Sequence, residues 1–196
     1  MNELLNMQDL IDSRTVTRSL PELIEELPRI LASPKIQGTL CGISIRPEHS
    51  KRRLCKDLHV SAALGATGDL WVDDGWMKDA NGAPHPDIQL TLINSRCINF
   101  IAGGAHRWHL AGDNLAVDLD LSEENLPVGQ KLQIGDAIIQ ITDVWHGPCN
   151  KFLDRFGRDA VRFTAGQKWR RYRLRGVHAK VTRDGDIRVG CVVKKI

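Results

Sequence analysis

The sequence lacks the cysteine spacing of a disulfide framework or of a structural zinc site. Its five cysteines are odd in number and widely scattered, and no two of them form a Cys-x-x-Cys pair: Cys41, Cys55, Cys97, Cys149 and Cys191. A small disulfide-rich domain or a zinc-binding module requires regularly paired cysteines. The composition therefore favours a reducing compartment, and we expect the protein to be cytoplasmic.

Long hydrophobic runs are also absent. No segment approaches the ~20 consecutive apolar residues that a membrane helix needs, and the first residues show no basic start followed by an unbroken apolar run. We therefore expect a soluble protein with no membrane partner. Its 196 residues are enough for one well-buried domain with an appendage.

The chain shows no regular alternation of strands and helices of the kind that builds a parallel sheet. Instead, about seven short strands are separated by turn residues, and the segments 38–46, 58–60, 87–93 and 172–181 are among them. Asn94 or Ser95 can cap a helix that runs to Gly103. This pattern predicts a mainly β fold, a closed or nearly closed β-barrel with a few peripheral α-helices.

Two helices are predicted before the first strand, over residues 2–12 and 19–32. The second begins with Ser19 and Glu22 at the spacing of a capping box, and Pro28 is expected to kink or divide it. About thirty residues cannot bury a core by themselves. We therefore predict that residues 1–37 form a helical extension and that residues 38–196 form the barrel domain.

The net charge of +3 conceals an asymmetry along the chain. Residues 151–196 contain fourteen Lys or Arg against four Asp and carry +10, while the preceding 150 residues carry −7. Such a segment favours an anionic partner. Nucleic acid is a common one, but the aromatic residues here form no recognisable RNA-binding motif, and a phosphorylated small molecule is an equal candidate. A solvated basic face without a ligand is the third possibility.

A predicted hairpin leads to one exposed thiol. Residues 131–134 and 137–144 alternate apolar and polar positions on either side of Gly135-Asp136, which predicts two paired strands. Gly147-Pro148 then ends the second strand, because Pro has no amide hydrogen for a ladder. Cys149 follows on a turn and is a candidate nucleophile or metal ligand.

The neighbours of Cys149 support a chemical role. A helix predicted over residues 151–163 places Lys151, Arg155 and Arg158 nearby, and cationic groups favour the thiolate, which attacks electrophiles and binds metals. His146 adds a possible proton carrier. The alternative is that Cys149 is a small buried apolar residue, as free cysteines often are. Burial is what the strand and helix patterns predict for Cys41, Cys97 and Cys191.

The last strands are predicted to form a hairpin. Residues 172–181 and 187–189 flank Arg183-Asp184-Gly185-Asp186, and an Asp-Gly pair is a strong hairpin signal.

Several short motifs then occur in a distinctive order. They are Gly65-x-x-Gly68-Asp69, the sequence QLTLIN at 89–94, LAGDNL at 110–115, LQIGD at 132–136, HGPCNKF at 146–152, LRGV at 174–177 and DGDIRVG at 184–190. Together they resemble the MOSC family, whose name stands for the molybdenum cofactor sulfurase C-terminal domain, and in particular its stand-alone bacterial members. The likeness covers residues 38–196, and no single motif would suffice for it.

The resemblance implies a barrel of the MOSC type, similar to that of pyruvate kinase. It also implies that Cys149 carries sulfur or binds molybdenum held by a pterin dithiolene, the molybdenum cofactor (molybdopterin). A soft thiolate suits a thiophilic metal. The cofactor-binding residues so implied are Asp113, Asn114, Lys151, Arg155, Arg158 and Arg175. The family's Gly-Asp-Arg-His stands here as Gly68-Asp69-Leu70-Trp71, and its last Gly-Asp as Gly190-Cys191.

The resemblance leads to three hypotheses on function. The first is a molybdenum-cofactor protein that is the terminal component of a reductase of N-hydroxylated compounds, with Cys149 as metal ligand and His146 as a second catalytic residue. Its partners would be a small-molecule substrate and a flavin or iron–sulfur electron donor, and neither nucleic acid nor a membrane. The second is a sulfur carrier with a persulfide on Cys149. The third is a nonenzymatic anion-binding barrel, and the oligomeric state stays open in all three.

Overall fold

The structure is a computed structural model that describes residues 17–196, so the helix predicted at 2–12 lies outside the described residues. The strands are β1 (Gln37–Ile45), β2 (Arg53–Cys55), β3 (Asp57–Ser61), β4 (Gly65–Ala66), β5 (Leu90–Asn94), β6 (Leu115–Asp118), β7 (Lys131–Ile134), β8 (Ala137–Ile141), β9 (Val177–Arg183), β10 (Gly185–Arg188) and β11 (Val192–Lys195). The helices are α1 (Leu20–Leu31), α2 (Trp71–Asp74), α3 (Ser95–Ala102) and α4 (Asn150–Ala165), and short 3-10 helices cover Pro86–Ile88, Ala105–Ala111 and Gln167–Tyr172. Helix α4 is kinked at Gly157, whose φ of +82° interrupts the helical backbone. No described helix has the length and apolar character needed to cross a membrane.

Seven strands close into a barrel. They follow the order β11, β7, β8, β9, β5, β6 and β1, and β1 pairs again with β11. All of these pairs are antiparallel except β5 with β6. The inward-facing side chains of these strands, among them Leu40, Leu92, Val117, Ile139 and Val193, form the first hydrophobic core. The predicted mainly β fold, a barrel with peripheral helices, is thereby confirmed.

The predicted hairpin between β9 and β10 is wrong, although both strands exist. The strand β10 leaves the barrel and pairs with β3 in a separate sheet of three strands, in which Ile187 faces Leu58. The exposed His59 and Asp186 side chains add a contact of 2.8 Å between the two strands. The Asp-Gly signal concerns only the turn between β9 and β10. The partner of β10 is instead the free edge of β3, which lies more than a hundred residues earlier in the chain.

The helices pack outside the barrel around a second hydrophobic core. Its largest buried side chains come from α4 (Phe152, Phe156 and Phe163), and α1 contributes Leu23, Leu27 and Ile30. Helix α1 begins after Ser19, whose amide and hydroxyl both donate to Glu22, as predicted. It is not divided at Pro28, however, because the missing amide hydrogen falls in its last turn and leaves the rest of the ladder intact.

Strand ends and loops meet at one opening of the barrel. The connection after β8 delivers Trp145 to Cys149, the turn before β6 delivers Gly112 to Asn114, and the segment before β9 delivers Arg175. The end of β1 and the loop after it add Arg46 and Arg52. Segments that are far apart in sequence are thus held around a single cavity.

Candidate functional site

A cavity of about 570 Å³ opens among these loops. Its walls combine cationic, aromatic and imidazole side chains with one thiol: Arg46, Arg52, Arg175, Trp71, Trp76, Trp145, His146, His178 and Cys149. Polar residues complete the lining, among them Asp69, Gln89, Thr91 and Asn114. The cavity therefore offers a soft metal ligand, positive charge and hydrogen-bonding nitrogen atoms in one space.

Cys149 lies at the N-terminus of α4, at the edge of the cavity. Its carbonyl oxygen accepts hydrogen bonds from the amides of Phe152 and Leu153, at 3.0 and 3.1 Å, so the backbone of the thiol is fixed by the first turn of the helix. Phe152 is fully buried in the second core and anchors that turn. The thiol is exposed and free, and the alternative of a buried apolar cysteine is thereby wrong.

The remaining cysteines differ in their surroundings. Cys97 is buried, as predicted, and burial raises the pKa of its thiol to about 12. Cys41 is exposed, so the prediction of burial is wrong for it. Its neighbour Leu40 lies in the first hydrophobic core, and the register of β1 with β6 shifts between Leu40 and Gly42, so Cys41 is the extra residue of a β-bulge and stays outside the core. Cys191 is half-buried.

A buried ion pair supports one wall of the cavity. The guanidinium of Arg175 contacts both carboxylate oxygens of Asp113, at 2.7 and 3.0 Å, and donates to the carbonyl of Ala111 at 3.0 Å. The same guanidinium lies over the ring of Phe152, 4.8 Å from its centroid. Burial raises the pKa of Asp113, and the charge of Arg175 opposes that shift. The pair joins the turn before β6, the segment before β9 and the helix that carries Cys149.

Two imidazole rings lie next to this ion pair. The rings of His146 and His178 are 4.6 Å apart between centroids, and Nδ1 of His146 is 3.6 Å from the Asp113 carboxylate. Burial, reinforced by the charge of Arg175, lowers the pKa of His146 well below 6.5. The same two causes lower the pKa of His178 to about 4. Both imidazoles are therefore neutral at pH 7.

Asn114 holds the loops of the cavity together. Its side-chain oxygen accepts from the amide and hydroxyl of Thr91, at 3.1 and 3.0 Å, and its amide nitrogen donates to Ser44 and Asp69. Asp69 in turn accepts from the backbone amides of Arg46 and Trp71, at 2.6 and 2.9 Å. The Asn114 side chain lines the cavity, but its bonds make it a positioning residue.

Arg52 is the cation least expected from the sequence. It packs against Gly112, where an added Cβ would lie 3.1 Å from its guanidinium. The backbone of Gly112 has a φ of +95°, a conformation that favours glycine. Burial lowers the pKa of Arg52, although the carboxylates of Asp69 and Asp113 oppose this. In the sequence it belongs to the run Lys51-Arg52-Arg53, which resembles an ordinary solvated connection.

The cations predicted downstream of Cys149 are not gathered in the cavity. Arg155 donates to the carbonyl of Leu110 at 2.6 Å and so attaches α4 to the turn before β6. Lys151 is exposed and donates to Ser50 at 3.2 Å. Arg158 is exposed and lines a separate cleft beside α1. Of the predicted cofactor-binding residues, Asn114 and Arg175 line the cavity and Asp113 lies directly behind it.

Several nitrogen atoms in this region have no hydrogen-bond partner among residues 17–196. They are Nε1 of Trp71, Nδ1 of His146, Nδ1 of His178 and Nε of Arg175, all buried. A buried polar atom without a partner costs free energy, and such atoms point to a ligand or to water. Within residues 17–196, no three His, Cys, Asp or Glu side chains are grouped so as to hold a metal ion.

A comparison with protein families places these residues in a known family. A model described as the MOSC domain matches residues 86–194, more than half of the chain. The chain belongs to the MOSC family. No sequence among the curated proteins matches it significantly. The matched region contains Asp113, Asn114, His146, Cys149 and Arg175, whereas Arg46 and Arg52 precede it.

Solved structures show the same fold. YuaD from Bacillus subtilis has a TM-score of 0.59 and 19% identity over 82% of this chain and 96% of that chain. YiiM from Geobacillus stearothermophilus has a TM-score of 0.52 and 14% identity over 81% and 75% of the two chains. YiiM from Escherichia coli has a TM-score of 0.50 and 18% identity over 81% and 69%. These identities support a shared fold alone.

Proposed function

We propose that this MOSC protein binds the molybdenum cofactor, with Cys149 as its protein ligand to the metal, and is the terminal component of a reductase of N-hydroxylated compounds. The observation that carries the proposal is the exposed Cys149 thiol at the edge of a cavity that is also lined by Arg46, Arg52 and Arg175. An exposed thiol alone is compatible with many functions. A thiol beside a cavity that can bind an anion favours a function in which the ligand carries both a thiophilic group and a negative charge.

The donor set of the cavity fits this cofactor. Residues 17–196 contain no group of three side chains that could hold a bare metal ion, whereas a metal that arrives on a pterin dithiolene brings most of its own ligands. One soft thiolate from the protein is then sufficient, and Cys149 supplies it. The partnerless nitrogen atoms of Trp71, His146 and His178 offer hydrogen bonds to the polar edges of such a ligand.

The cations of the cavity fit the phosphate of the cofactor. Arg52 lines the cavity, and only part of its charge is balanced by the nearby carboxylates of Asp69 and Asp113, so its guanidinium can bind an anion there. Arg175 is committed to Asp113 through one nitrogen and retains a partnerless Nε. Guanidinium groups bind phosphate oxygens through charge-assisted hydrogen bonds. We assign the anion site to Arg52 and the adjacent Arg46, in place of Arg155 and Arg158.

The remaining residues would orient the reactants. When bound, the cofactor would supply two-electron redox chemistry and accept the oxygen removed from the substrate. His146 and His178 are neutral at pH 7, so each ring has an unprotonated nitrogen that can accept a hydrogen bond from an N-hydroxyl group. The charge of Arg175 beside both rings keeps them in this neutral form. Electrons would come from a separate flavin or iron–sulfur protein.

The exposure of Cys149 also favours the second hypothesis, a sulfur carrier. A persulfide must be loaded and unloaded by other proteins, and an exposed thiol at a helix start is accessible to them. In this function the cations would stabilise the anionic persulfide. The two functions differ in what Cys149 carries, which can be measured directly.

Metal analysis of protein produced in a host that makes the molybdenum cofactor tests the proposal. We expect stoichiometric molybdenum in the unaltered protein and almost none in Cys149→Ser, where a hard hydroxyl replaces the soft ligand. Arg52→Gln should lower the content several-fold, because it removes a charge-assisted contact to phosphate. Arg158→Gln is the matched control, since Arg158 lies outside the cavity, and should retain full content.

Three outcomes would contradict parts of this proposal. Full molybdenum in Cys149→Ser would remove the thiol from the metal site. Loss in Arg158→Gln but not in Arg52→Gln would move the anion site to the cleft beside α1. Absence of molybdenum from all variants, with an added sulfur atom on Cys149 by mass spectrometry, would favour the sulfur carrier, and absence of both would favour the anion-binding barrel.

A further inference from the structure

The mouth of the cavity is unusually rich in tryptophan. Aromatic residues make up 5% of the chain, yet three of its five tryptophans line this one cavity: Trp71, Trp76 and Trp145. Trp71 is 7% exposed and lies inside, whereas Trp76 and Trp145 are 71% and 55% exposed. Large apolar surface left in water at the edge of a cavity indicates a binding surface.

Trp145 is exposed but held in place. Arg170 covers its ring, with the guanidinium carbon 5.1 Å from the centroid, in a cation–π contact. At the edge of the ring lies Gly147, where an added Cβ would be 2.3 Å from a ring carbon. The indole is therefore pressed against the backbone of the turn that leads to Cys149. A side chain fixed in this way loses little conformational entropy when a ligand stacks on it.

Trp76 lies above the imidazoles of the cavity. Its ring centroid is 6.3 Å from that of His178, at an interplanar angle of 51°, and His178 lies 4.6 Å from His146. The buried nitrogen atoms of Trp71 and His178, neither of which has a hydrogen-bond partner, are in the same cavity. Broad aromatic faces are thus combined with hydrogen-bonding groups that can reach the polar edge of a ring.

We infer that Trp145, fixed by Arg170 and Gly147, is a stacking platform that makes the site select ligands with a flat aromatic ring over aliphatic ones, with Trp76 as a second aromatic contact. Trp145 and Trp76 are specificity residues, and Arg170 is a positioning residue. The inference rests on the proposed function in that it names the specificity residues of the same site.

Two hydroxamic acids that differ in their side group provide the test. Benzohydroxamic acid and acetohydroxamic acid share the N-hydroxyl group, and the first adds a phenyl ring. We expect protein from the cofactor-producing host to bind the aromatic compound about tenfold more tightly, about 1.4 kcal/mol. The dissociation constants are measured by calorimetry, and tryptophan fluorescence should be quenched by the aromatic compound.

Variants of the platform separate stacking from general damage. Trp145→Ala should reduce the tenfold preference to about twofold or less, and Trp145→Phe should retain most of it, because a phenyl ring still stacks. Arg170→Gln should weaken binding of the aromatic compound more than that of the aliphatic compound and so reduce the preference. The matched control is Trp169→Phe, since Trp169 packs on Phe163 away from the cavity.

Two results would overturn the inference: equal affinity for both compounds in the unaltered protein, or a preference that persists in Trp145→Ala. Molybdenum is measured in the same preparations, so failure here is distinguishable from failure of the proposed function. Protein that contains molybdenum but shows no preference contradicts the stacking platform alone. Protein that lacks molybdenum but shows the preference supports the platform and contradicts the cofactor assignment.

Discussion

At the scale of single residues, the buried pair of Arg175 and Asp113 explains why two histidines are neutral in a cavity that otherwise favours anions. The guanidinium is held 2.7 Å from the carboxylate and is adjacent to both imidazoles. A second positive charge on either ring would be unfavourable next to it, and burial adds the cost of desolvation. The cavity therefore keeps its positive charge on arginines.

This arrangement makes stability depend on pH. The pKa of His178 falls from 6.5 to about 4 on folding, so between these values the unfolded chain binds a proton that the folded chain does not. The contribution of His178 to the free energy of unfolding is therefore complete above pH 6.5 and is lost as the pH falls toward 4. The full loss corresponds to about 3 kcal/mol.

The free energy of unfolding in urea at pH 7 and at pH 4.5 measures this effect. We expect it to fall less over this range in His178→Asn than in the unaltered protein, because the variant lacks the group that protonates on unfolding. His49→Asn serves as the control, since His49 is exposed and lies outside the cavity. An equal fall in the unaltered protein and in His178→Asn would show that His178 is not the source.

The residues of the site differ in how far the sequence could reveal them. Cys149 is predictable because Gly147-Pro148 ends a strand in front of it. Arg52 is not, because its burial against Gly112 depends on the turn before β6, which lies sixty residues away. His178 occupies an apolar pattern typical of a strand interior, and nothing local indicates that its ring meets His146. Local signals identify the thiol, whereas the fold gathers the groups around it.

At the scale of elements, α1 is more than an appendage to the barrel. Leu23 is fully buried in the second core, where α1 packs against α3 and α4. The amide of Leu20 donates to Asp159 of α4 at 3.1 Å. Asp159 follows the kink of α4 at Gly157, so this bond attaches α1 to the second half of the helix, while Phe152 of the first half lies in the same hydrophobic core as Leu23. The boundary at residue 37 between an extension and a barrel domain stays a prediction.

Two neighbouring positions in α1 test its contribution. Leu23→Ala should lower the free energy of unfolding by about 2–5 kcal/mol, because it leaves a cavity in the second core. Ile24→Ala is the matched control on the next residue, which is 40% exposed, and should cost less than about 1 kcal/mol. Chemical denaturation measures both. Similar values for the two variants would show that α1 does not pack as described.

The elements also show which contacts a local sequence pattern can predict and which it cannot. The hairpin of β7 and β8 forms around Gly135 as predicted, and Asn94 caps α3 by accepting from the amide of Cys97 at 3.0 Å. These features depend on residues within a few positions of one another. The pairing of β10 with β3 does not, and there the prediction of a hairpin was wrong. The local pattern also fails to predict the position of Arg158, which lies on α4 but lines the cleft beside α1 and not the cavity.

At the scale of the whole molecule, closure of the barrel depends on glycine at one position. In β1, Gly38 faces Val193 of β11, and a Cβ added to it would lie 1.9 Å from the carbonyl oxygen of Asp118 at the end of β6. Strand β1 thus approaches the end of β6 so closely that no side chain fits at this position. Gly38 lies at the junction where the first and last barrel strands meet.

Gly38→Ala should therefore destabilise the whole barrel. The backbone of β1 or β6 must shift to admit the methyl group, and overpacking of this kind costs about 1–3 kcal/mol. The control is Gln37→Ala on the adjacent exposed residue, for which we expect little change. Thermal unfolding compares the two variants. Equal melting temperatures would show that β1 and β6 do not approach so closely at this point.

The pairing of β1 with β11 also bears on how the protein is made. The whole of the chain between residues 45 and 192 is synthesised after β1 and before the partner that closes the ring. Until then β1 and β7 each have an unpaired edge, and such edges readily pair with other chains. The seven-stranded barrel can therefore close only after residues 192–195 have left the ribosome, and the exposed edges make the growing chain prone to aggregation until that point.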